Sequence, residues 1–130
     1  MIRIADDPYP TQAQLDQLWL AAWGFVPEGY AHKVLPRSLA HVGALEGERL
    51  AGFVNVAWDG GVHAFLLDTG VDPEFRRQGL ATKLVARAAV LSRERGAHWL
   101  HVDYEPALDG FYRGCGFSPT AAGLIGLAAV

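Results

Sequence analysis

The residues best suited to chemistry lie in the segment 71–82, between a strand-like run and a long helix-like run. Arg76 and Arg77 place positive charge just before the helix, while Gly79 and Ala81 leave its first turn open. The first N–H groups of a helix have no partner within the helix, and the helix dipole favours an anion there. The segment therefore predicts a diphosphate site. The alternative is that both arginines are solvated charges and that Gly79 only makes a turn.

Other phosphate-binding motifs are absent from the sequence. It contains neither the G-x-G-x-x-G pattern of dinucleotide folds nor the G-x-x-x-x-G-K-[ST] pattern of nucleotide-binding loops. A short glycine motif is weak evidence by itself, so the elements around segment 71–82 must support the interpretation.

These elements form a strand-rich pattern with one long central helix. The periodicity predicts strands over 1–5, 41–45, 50–58, 63–71 and 97–104, helices from Thr11, within 28–39, after Pro73 and over 106–114, and two short closing strands within 117–127. Tight turns join the strands over 41–71 into an antiparallel meander. A strand, a helix and a strand follow between 63 and 104, which predicts a right-handed crossover and one parallel pair. The fold class is α+β, with a mixed, mostly antiparallel sheet.

Composition limits the classes of function. The length of 130 residues and 51% apolar content predict a single domain, 1–130, with a sizeable core. Eleven basic against 14 acidic residues argue against a nucleic-acid-binding protein. One cysteine excludes an internal disulfide and favours a reducing compartment. Neither a membrane-spanning run nor a signal peptide is recognisable, so we expect a cytoplasmic protein with no membrane partner.

Two motifs now support a family resemblance. Segment 76–81, Arg-Arg-Gln-Gly-Leu-Ala, matches [QR]-x-x-G-x-[GA], and it follows a Val-x-Pro strand end at 71–73. Segment 111–117, Phe-Tyr-Arg-Gly-Cys-Gly-Phe, looks like F-Y-x-x-x-G-F. In this order the motifs resemble the GNAT acetyltransferase superfamily. The resemblance is specific over about residues 50–120 and only topological before them.

The resemblance implies an enzyme that moves the acetyl group of acetyl-CoA to an amine by direct attack. By similarity, the pantetheine arm lies along Thr69, Gly70 and Val71. Tyr112 aligns with the general acid that protonates the departing thiolate; the alternative is an ordinary half-buried helix tyrosine. The implied diphosphate loop consists of Arg76, Arg77, Gln78, Gly79, Leu80, Ala81 and Thr82.

The general base is the least defined assignment. Period-two alternation places His101 and Asp103 on one face of their strand. His101 matches a position where many relatives carry a carboxylate, and histidine titrates near neutral pH. Alternatives are Asp68, Asp103, Glu105, no dedicated base, or a plain surface histidine at position 101.

The sequence departs from the family before Tyr112. No asparagine lies between 103 and 110, where many relatives use one to contact the cofactor, and Glu105 and Pro106 lie near that position. Cys115 is expected to be a buried structural residue, not a nucleophile. The histidines lack metal-ligand spacing, so we expect no metal site.

The expected function is therefore N-acetylation of a primary amine, with a small molecule as the favoured acceptor. Aromatic residues of the N-terminal helices, together with Glu28, suggest an apolar wall suited to a cationic amine. A protein lysine or N-terminal acetyltransferase and a non-catalytic acyl-CoA-binding module are the alternatives. The apolar C-terminal tail, 121–130, is a candidate homodimer interface.

Overall fold

The computed structural model describes residues 1–128. The strands are β1 (Ile2–Asp6), β2 (Ser38–Glu46), β3 (Arg49–Trp58), β4 (His63–Val71) and β5 (Trp99–Val102). The helices are α1 (Gln12–Trp23), α2 (Tyr30–Lys33), α3 (Leu80–Glu94) and α4 (Asp109–Gly114). Short 3₁₀ turns precede β2, α3 and α4. The last two residues of the apolar tail, 129 and 130, lie outside the described residues.

One five-stranded sheet organises the chain, in the order β1-β2-β3-β4-β5. The first three pairings are antiparallel, and β4 pairs with β5 in parallel. Helix α3 connects this parallel pair, as the strand–helix–strand pattern predicts. The mixed α+β sheet expected from the sequence is confirmed.

The two faces of the sheet bury separate clusters of side chains. Leu84, Val85, Ala88 and Leu91 make the apolar stripe by which α3 packs on one face. Helices α1 and α2 cover the β2–β3 part of the other face with a smaller cluster around Phe53. The part formed by β4 and β5 is left open, and Phe65 and Trp99 are exposed there.

Several predicted elements differ in extent. The second helical stretch is only the four-residue α2, because Pro36 lies in the 3₁₀ turn that follows it. The strand predicted over 97–104 is shorter, since only β5 has a pairing partner on β4. The closing strands predicted within 117–127 are wrong: the described residues after α4 contain no strand. Pro119, Gly123 and Gly126 weaken strand pairing there, and alanines offer little side-chain area to bury.

No helix within residues 1–128 is long and apolar enough to cross a membrane.

Candidate active site

A bulge in β4 opens the sheet next to the segment that the sequence singles out. Asn55 pairs with Leu67, but Phe53 pairs with Gly70, so β4 carries one more residue than β3 across this interval. Asp68 lies at the irregularity with φ +58°, a conformation that costs a non-glycine residue energy. A bulge bends its strand and increases the local twist. After the bulge, β4 still pairs with β3 through Gly70 and Val71, but it no longer pairs with β5.

The parallel pairing stops where this distortion begins. The last paired residues are Leu66 on β4 and Val102 on β5. Thr69, Gly70 and Val71 consequently present a backbone edge toward β5 that no strand of the described chain covers. Only the Val71 carbonyl is engaged from this side, accepting a hydrogen bond from Arg76 Nε at 3.3 Å. The exposed edge is able to pair with an extended ligand that carries amide groups.

The start of α3 lies beyond the end of β4 and leaves its first N–H groups without a capping side chain. Gly79 is the N-cap with φ +72°, and no side chain caps the helix. Within the described residues, the N–H groups of Leu80, Ala81 and Thr82 have no protein partner. A β-carbon at Gly79 would meet nothing within 4 Å, so the approach to these donors is open. Because orphan donors and the helix dipole act together, these residues fit a diphosphate.

An ion-pair network that the sequence analysis missed holds the turn before α3. Asp72 is 2% exposed and accepts hydrogen bonds from the backbone N–H of Glu74 at 2.9 Å and from Arg49 Nη2 at 2.8 Å. Arg49 Nη1 also lies 2.9 Å from Glu74 Oε2. An aspartate directly before Pro73 predicts an N-cap from the local sequence. Its ion pair with Arg49 could not be predicted in this way, because Arg49 lies on β3, far away in the sequence.

A single cleft of about 300 Å³ joins the open edge, the start of α3 and α4. The predicted site residues that line it are Thr69, Gly70, Val71, Arg76, Arg77, Leu80, Ala81 and Tyr112. Gln78, Gly79 and Thr82 lie within the same loop and first turn but do not line the cavity. The sequence analysis did not assign four other lining residues to the site, which are Ala22, Phe75, Leu108 and Phe111. Trp23 also lines the cleft and is the one lining residue among the aromatic residues of the N-terminal helices that the sequence suggests as an apolar wall.

Tyr112 carries the one phenol in the wall of this cleft. It is 7% exposed, and its ring stacks on Tyr104 at 4.8 Å. Burial raises the pKa of the Tyr112 phenol above its ordinary value, while a hydrogen bond with the Thr69 side chain opposes that rise. The phenol is therefore protonated near neutral pH. A protonated phenol in the same cleft wall as the β4 edge is chemically able to donate a proton there.

The candidate bases occupy different places. His101 lies on the open face of β5, with its Nε2 2.8 Å from His63 Nδ1, and it does not line the cleft. Asp103 and Glu105 line a neighbouring cavity of about 470 Å³ that also reaches Tyr112. Asp68 lies at the bulge and accepts a hydrogen bond from the Tyr30 hydroxyl at 2.7 Å.

Tyr30 and Cys115 are both held in their protonated forms. Burial, reinforced by the Asp68 carboxylate, raises the pKa of the Tyr30 phenol, so Tyr30 remains a donor to that carboxylate. Burial also raises the pKa of the Cys115 thiol, whose side chain packs against the core at the end of α4. A thiol with a raised pKa is a poor nucleophile at neutral pH.

Residues 1–117 match the sequence model of the Acetyltransferase (GNAT) family. The chain belongs to the GNAT acetyltransferase family. The family resemblance and the GNAT fold expected from the two motifs are thus confirmed. A search of curated proteins gave no significant match to the sequence.

Solved structures share this GNAT fold over the whole chain. A GNAT-family acetyltransferase from Streptococcus pneumoniae TIGR4 is 27% identical, with a TM-score of 0.82 and coverage of 98% of both chains. A protein of unknown function from meticillin-resistant Staphylococcus aureus, described as a probable acetyltransferase, is 22% identical, with a TM-score of 0.83 and coverage of 99% of this chain and 100% of that one.

The aminoglycoside acetyltransferase AAC(6')-Iy is a third similar GNAT structure, solved with a bisubstrate analogue that joins CoA to monomethyl-acetylneamine. It is 18% identical, with a TM-score of 0.78 and coverage of 100% of this chain and 99% of that one. At this identity the likeness is one of fold.

Proposed function

We propose that this GNAT protein transfers the acetyl group of acetyl-CoA to a primary amine of a small molecule. The observation that carries the proposal is the convergence of three features on one cleft: the free edge of β4, the uncapped start of α3 and the buried phenol of Tyr112. Each of them suits a different part of the donor.

Thr69, Gly70 and Val71 bind the pantetheine arm through their free backbone groups, as a short additional strand. The N–H groups at the start of α3 bind the diphosphate, and Arg76 and Arg77 line the same end of the cleft with positive charge. When bound, acetyl-CoA supplies an activated thioester carbonyl. Attack by the neutral amine forms the C–N bond and breaks the C–S bond.

Tyr112 donates its proton to the departing thiolate. The proposed acceptor of the amine proton is His101, acting through water because it lies outside the cleft wall. Asp68 remains the strongest alternative, because it lies at the bulge and directly precedes Thr69, which lines the cleft. The pH dependence of kcat/KM distinguishes them, because activity falls at low pH when the general base becomes protonated. Loss of this acidic limb in His101→Ala but not in Asp68→Asn supports His101, and the reverse overturns that assignment.

The charges near the cleft favour a cationic acceptor. Arg76 and Arg77 line the donor end of the cleft, whereas Asp68 lies at the bulge within β4, and Asp103 and Glu105 follow β5 and line the neighbouring cavity that reaches Tyr112. Acidic groups attract and orient an amine that arrives as an ammonium ion. AAC(6')-Iy, which shares this fold, is an aminoglycoside acetyltransferase, and that likeness adds support for a small polyamine over a protein acceptor.

The first test is a thermal melt of the protein with acetyl-CoA, with NAD and ATP as controls. A ligand at a hundred times its dissociation constant adds about 2.7 kcal/mol of stability, equivalent to several degrees for a domain of this size. A shift with acetyl-CoA alone supports the donor site, whereas equal shifts with all three, or none, overturn it.

Turnover with a panel of polyamines, aminoglycosides and lysine peptides then tests the acceptor. Acetylation of small amines supports the proposal. Activity confined to peptides favours a protein acetyltransferase instead. Binding of acetyl-CoA without turnover of any acceptor favours a non-catalytic acyl-CoA-binding module.

A further inference from the structure

Two histidines that are far apart in the sequence meet on the open face of β4 and β5. His63 Nδ1 lies 2.8 Å from His101 Nε2, and the ring centroids are 5.0 Å apart. We propose that this pair is a two-ligand binding site for a divalent late first-row metal ion of the Cu²⁺, Ni²⁺ and Zn²⁺ class.

The strand register creates the pair. His63 pairs with Trp99 and Phe65 pairs with His101, so the two histidines are diagonal neighbours on one face of the parallel strands. Phe65 stacks on the His101 ring at 4.7 Å with an interplanar angle of 22°. This stacking restricts the rotation of the imidazole. Little conformational entropy is therefore lost when both rings bind one ion.

The distance between the nitrogens suits shared ligation. Imidazole nitrogens lie about 2.0–2.1 Å from Zn²⁺, which puts two neighbouring ligands about 3.0–3.4 Å apart. The observed 2.8 Å needs only a small rotation of either ring to direct both lone pairs at one ion.

Protonation does not prevent ligation. In the free pair one ring donates an N–H to the other. On ligation that proton moves to the far nitrogen of the same ring, so both neutral rings present a lone pair and no proton is lost.

The rest of the coordination shell selects the class of ion. Among the described residues, no third His, Cys, Asp or Glu joins the pair in a metal-binding group, so water must fill the remaining positions. Imidazole nitrogen favours Cu²⁺, Ni²⁺ and Zn²⁺, whereas Mg²⁺ and Ca²⁺ require oxygen ligands. Because His101 is exposed on the sheet face, an ion reaches the pair directly from solvent.

The experiment is calorimetric titration of the untagged, CoA-free protein with NiCl₂ and with ZnCl₂ at pH 7.5, with MgCl₂ as the control salt. One equivalent of Ni²⁺ or Zn²⁺ is expected to bind, and Mg²⁺ is not. His63→Ala and His101→Ala are each expected to weaken binding by about 10²-fold, because a chelating second ligand acts at high effective concentration. His98→Ala is the matched control, since it removes an exposed histidine close to β5 without touching the pair.

Absence of metal binding by the unmodified protein overturns the proposal. So does metal binding by His63→Ala and His101→Ala that is as tight as in the unmodified protein, or loss of metal binding in His98→Ala. Unfolding curves without metal show whether each variant is folded, and a fourth variant, His63→Gln, repeats the test with a side chain of similar size.

One consequence rests on the proposed function: a metal on the pair removes the His101 lone pair from proton transfer. Zn²⁺ should then inhibit turnover in the unmodified enzyme and less so in His63→Ala. Intact Zn²⁺ binding without inhibition counts against His101 as the base and leaves the metal site standing.

Discussion

The indole of Trp23 lies directly over Gly70. A β-carbon added at Gly70 would lie 2.6 Å from Trp23 Cη2, closer than such atoms approach in folded proteins. Trp23 is the last residue of α1 and packs edge-on against Trp19 at a centroid distance of 4.9 Å. The close contact joins the end of α1 to the bulged end of β4. One wall of the cleft therefore depends on the absence of a side chain at position 70.

Replacing Gly70 with alanine should displace the indole and destabilise the protein by about 1–3 kcal/mol, the usual cost of overpacking. Urea unfolding measures this loss. Gly61→Ala is the matched control, because its β-carbon would make only ordinary contacts, at 3.4 Å and beyond, with the Asp59 side chain. Trp23→Ala in the Gly70→Ala background should recover part of the stability. A Gly70→Ala protein as stable as the parent would show that the contact relaxes without cost.

Removing the Tyr112 hydroxyl tests the general acid. Tyr112→Phe keeps the ring that stacks on Tyr104 and should leave the fold intact, but it should lower kcat by about 10²-fold or more. Steady-state rates with the best acceptor, together with a thermal melt, separate the two effects. Tyr104→Phe is the control, since its hydroxyl donates to Asp109 at 2.8 Å away from the cleft wall. Equal rates for Tyr112→Phe and the parent would remove Tyr112 from the chemistry.

The positive charge at the donor end should set affinity for the diphosphate. Arg77→Gln should raise the Kd for acetyl-CoA about tenfold, equivalent to about 1.4 kcal/mol, and the difference should shrink in high salt. Calorimetry at low and high ionic strength measures both quantities. Arg93→Gln removes an equal charge at the far end of α3 and should leave the Kd unchanged. If both variants raised the Kd for acetyl-CoA by a similar factor, Arg77 would act only through the net charge of the protein.

A buried histidine should make the fold sensitive to mild acid. His41 is 1% exposed, and its Nε2 accepts a hydrogen bond from the Tyr9 backbone N–H at 2.9 Å. Burial lowers the pKa of His41 below its ordinary value of 6.5, and the Asp7 carboxylate only partly opposes this. The unfolded chain therefore takes up a proton below pH ~6.5 that the folded chain resists.

The stability that His41 contributes should be complete above pH ~6.5 and fall as the pH drops toward its lowered folded pKa. Urea unfolding at pH 7.5, 6.5 and 5.5 measures this slope. His41→Gln should flatten it, and His98→Gln should not. A slope that survives in His41→Gln would assign the pH sensitivity to other groups. Asp6 and Asp7 do not confound this test, because their pKa values are lowered and they titrate below this pH range.

The apolar tail should bury its side chains between two copies of the chain. Leu124, Ile125 and Leu127 are 82%, 85% and 91% exposed in the single chain. We expect a dimeric mass by light scattering for the parent protein and a monomeric mass for Ile125→Asp, since a buried charge opposes association. Ser118→Asp adds the same charge to an exposed position near the start of the tail and should stay dimeric. A monomeric parent would end the idea.

Local signals explain how much could be predicted from the sequence. Residues 71–82 carry a strand end, a proline, two arginines and an N-cap glycine, and each acts within a few residues of its neighbours. The glycine-capped start of α3 was therefore predictable, and so was the alternation of strands and helix that builds the sheet. The closing strands within 117–127 were predicted wrongly, because apolar content alone does not supply a pairing partner.

Only the tertiary structure decided the contacts that depend on strand register. The bulge at Asp68, the indole of Trp23 on Gly70 and the facing nitrogens of His63 and His101 join residues that share no local pattern. A shift of one residue in pairing turns every side chain of a strand to the opposite face. The sequence by itself determined which residues begin α3 and leave its first N–H groups without a capping side chain. The register of β4 against its two neighbours decided where the sheet opens and which side chains meet at that opening.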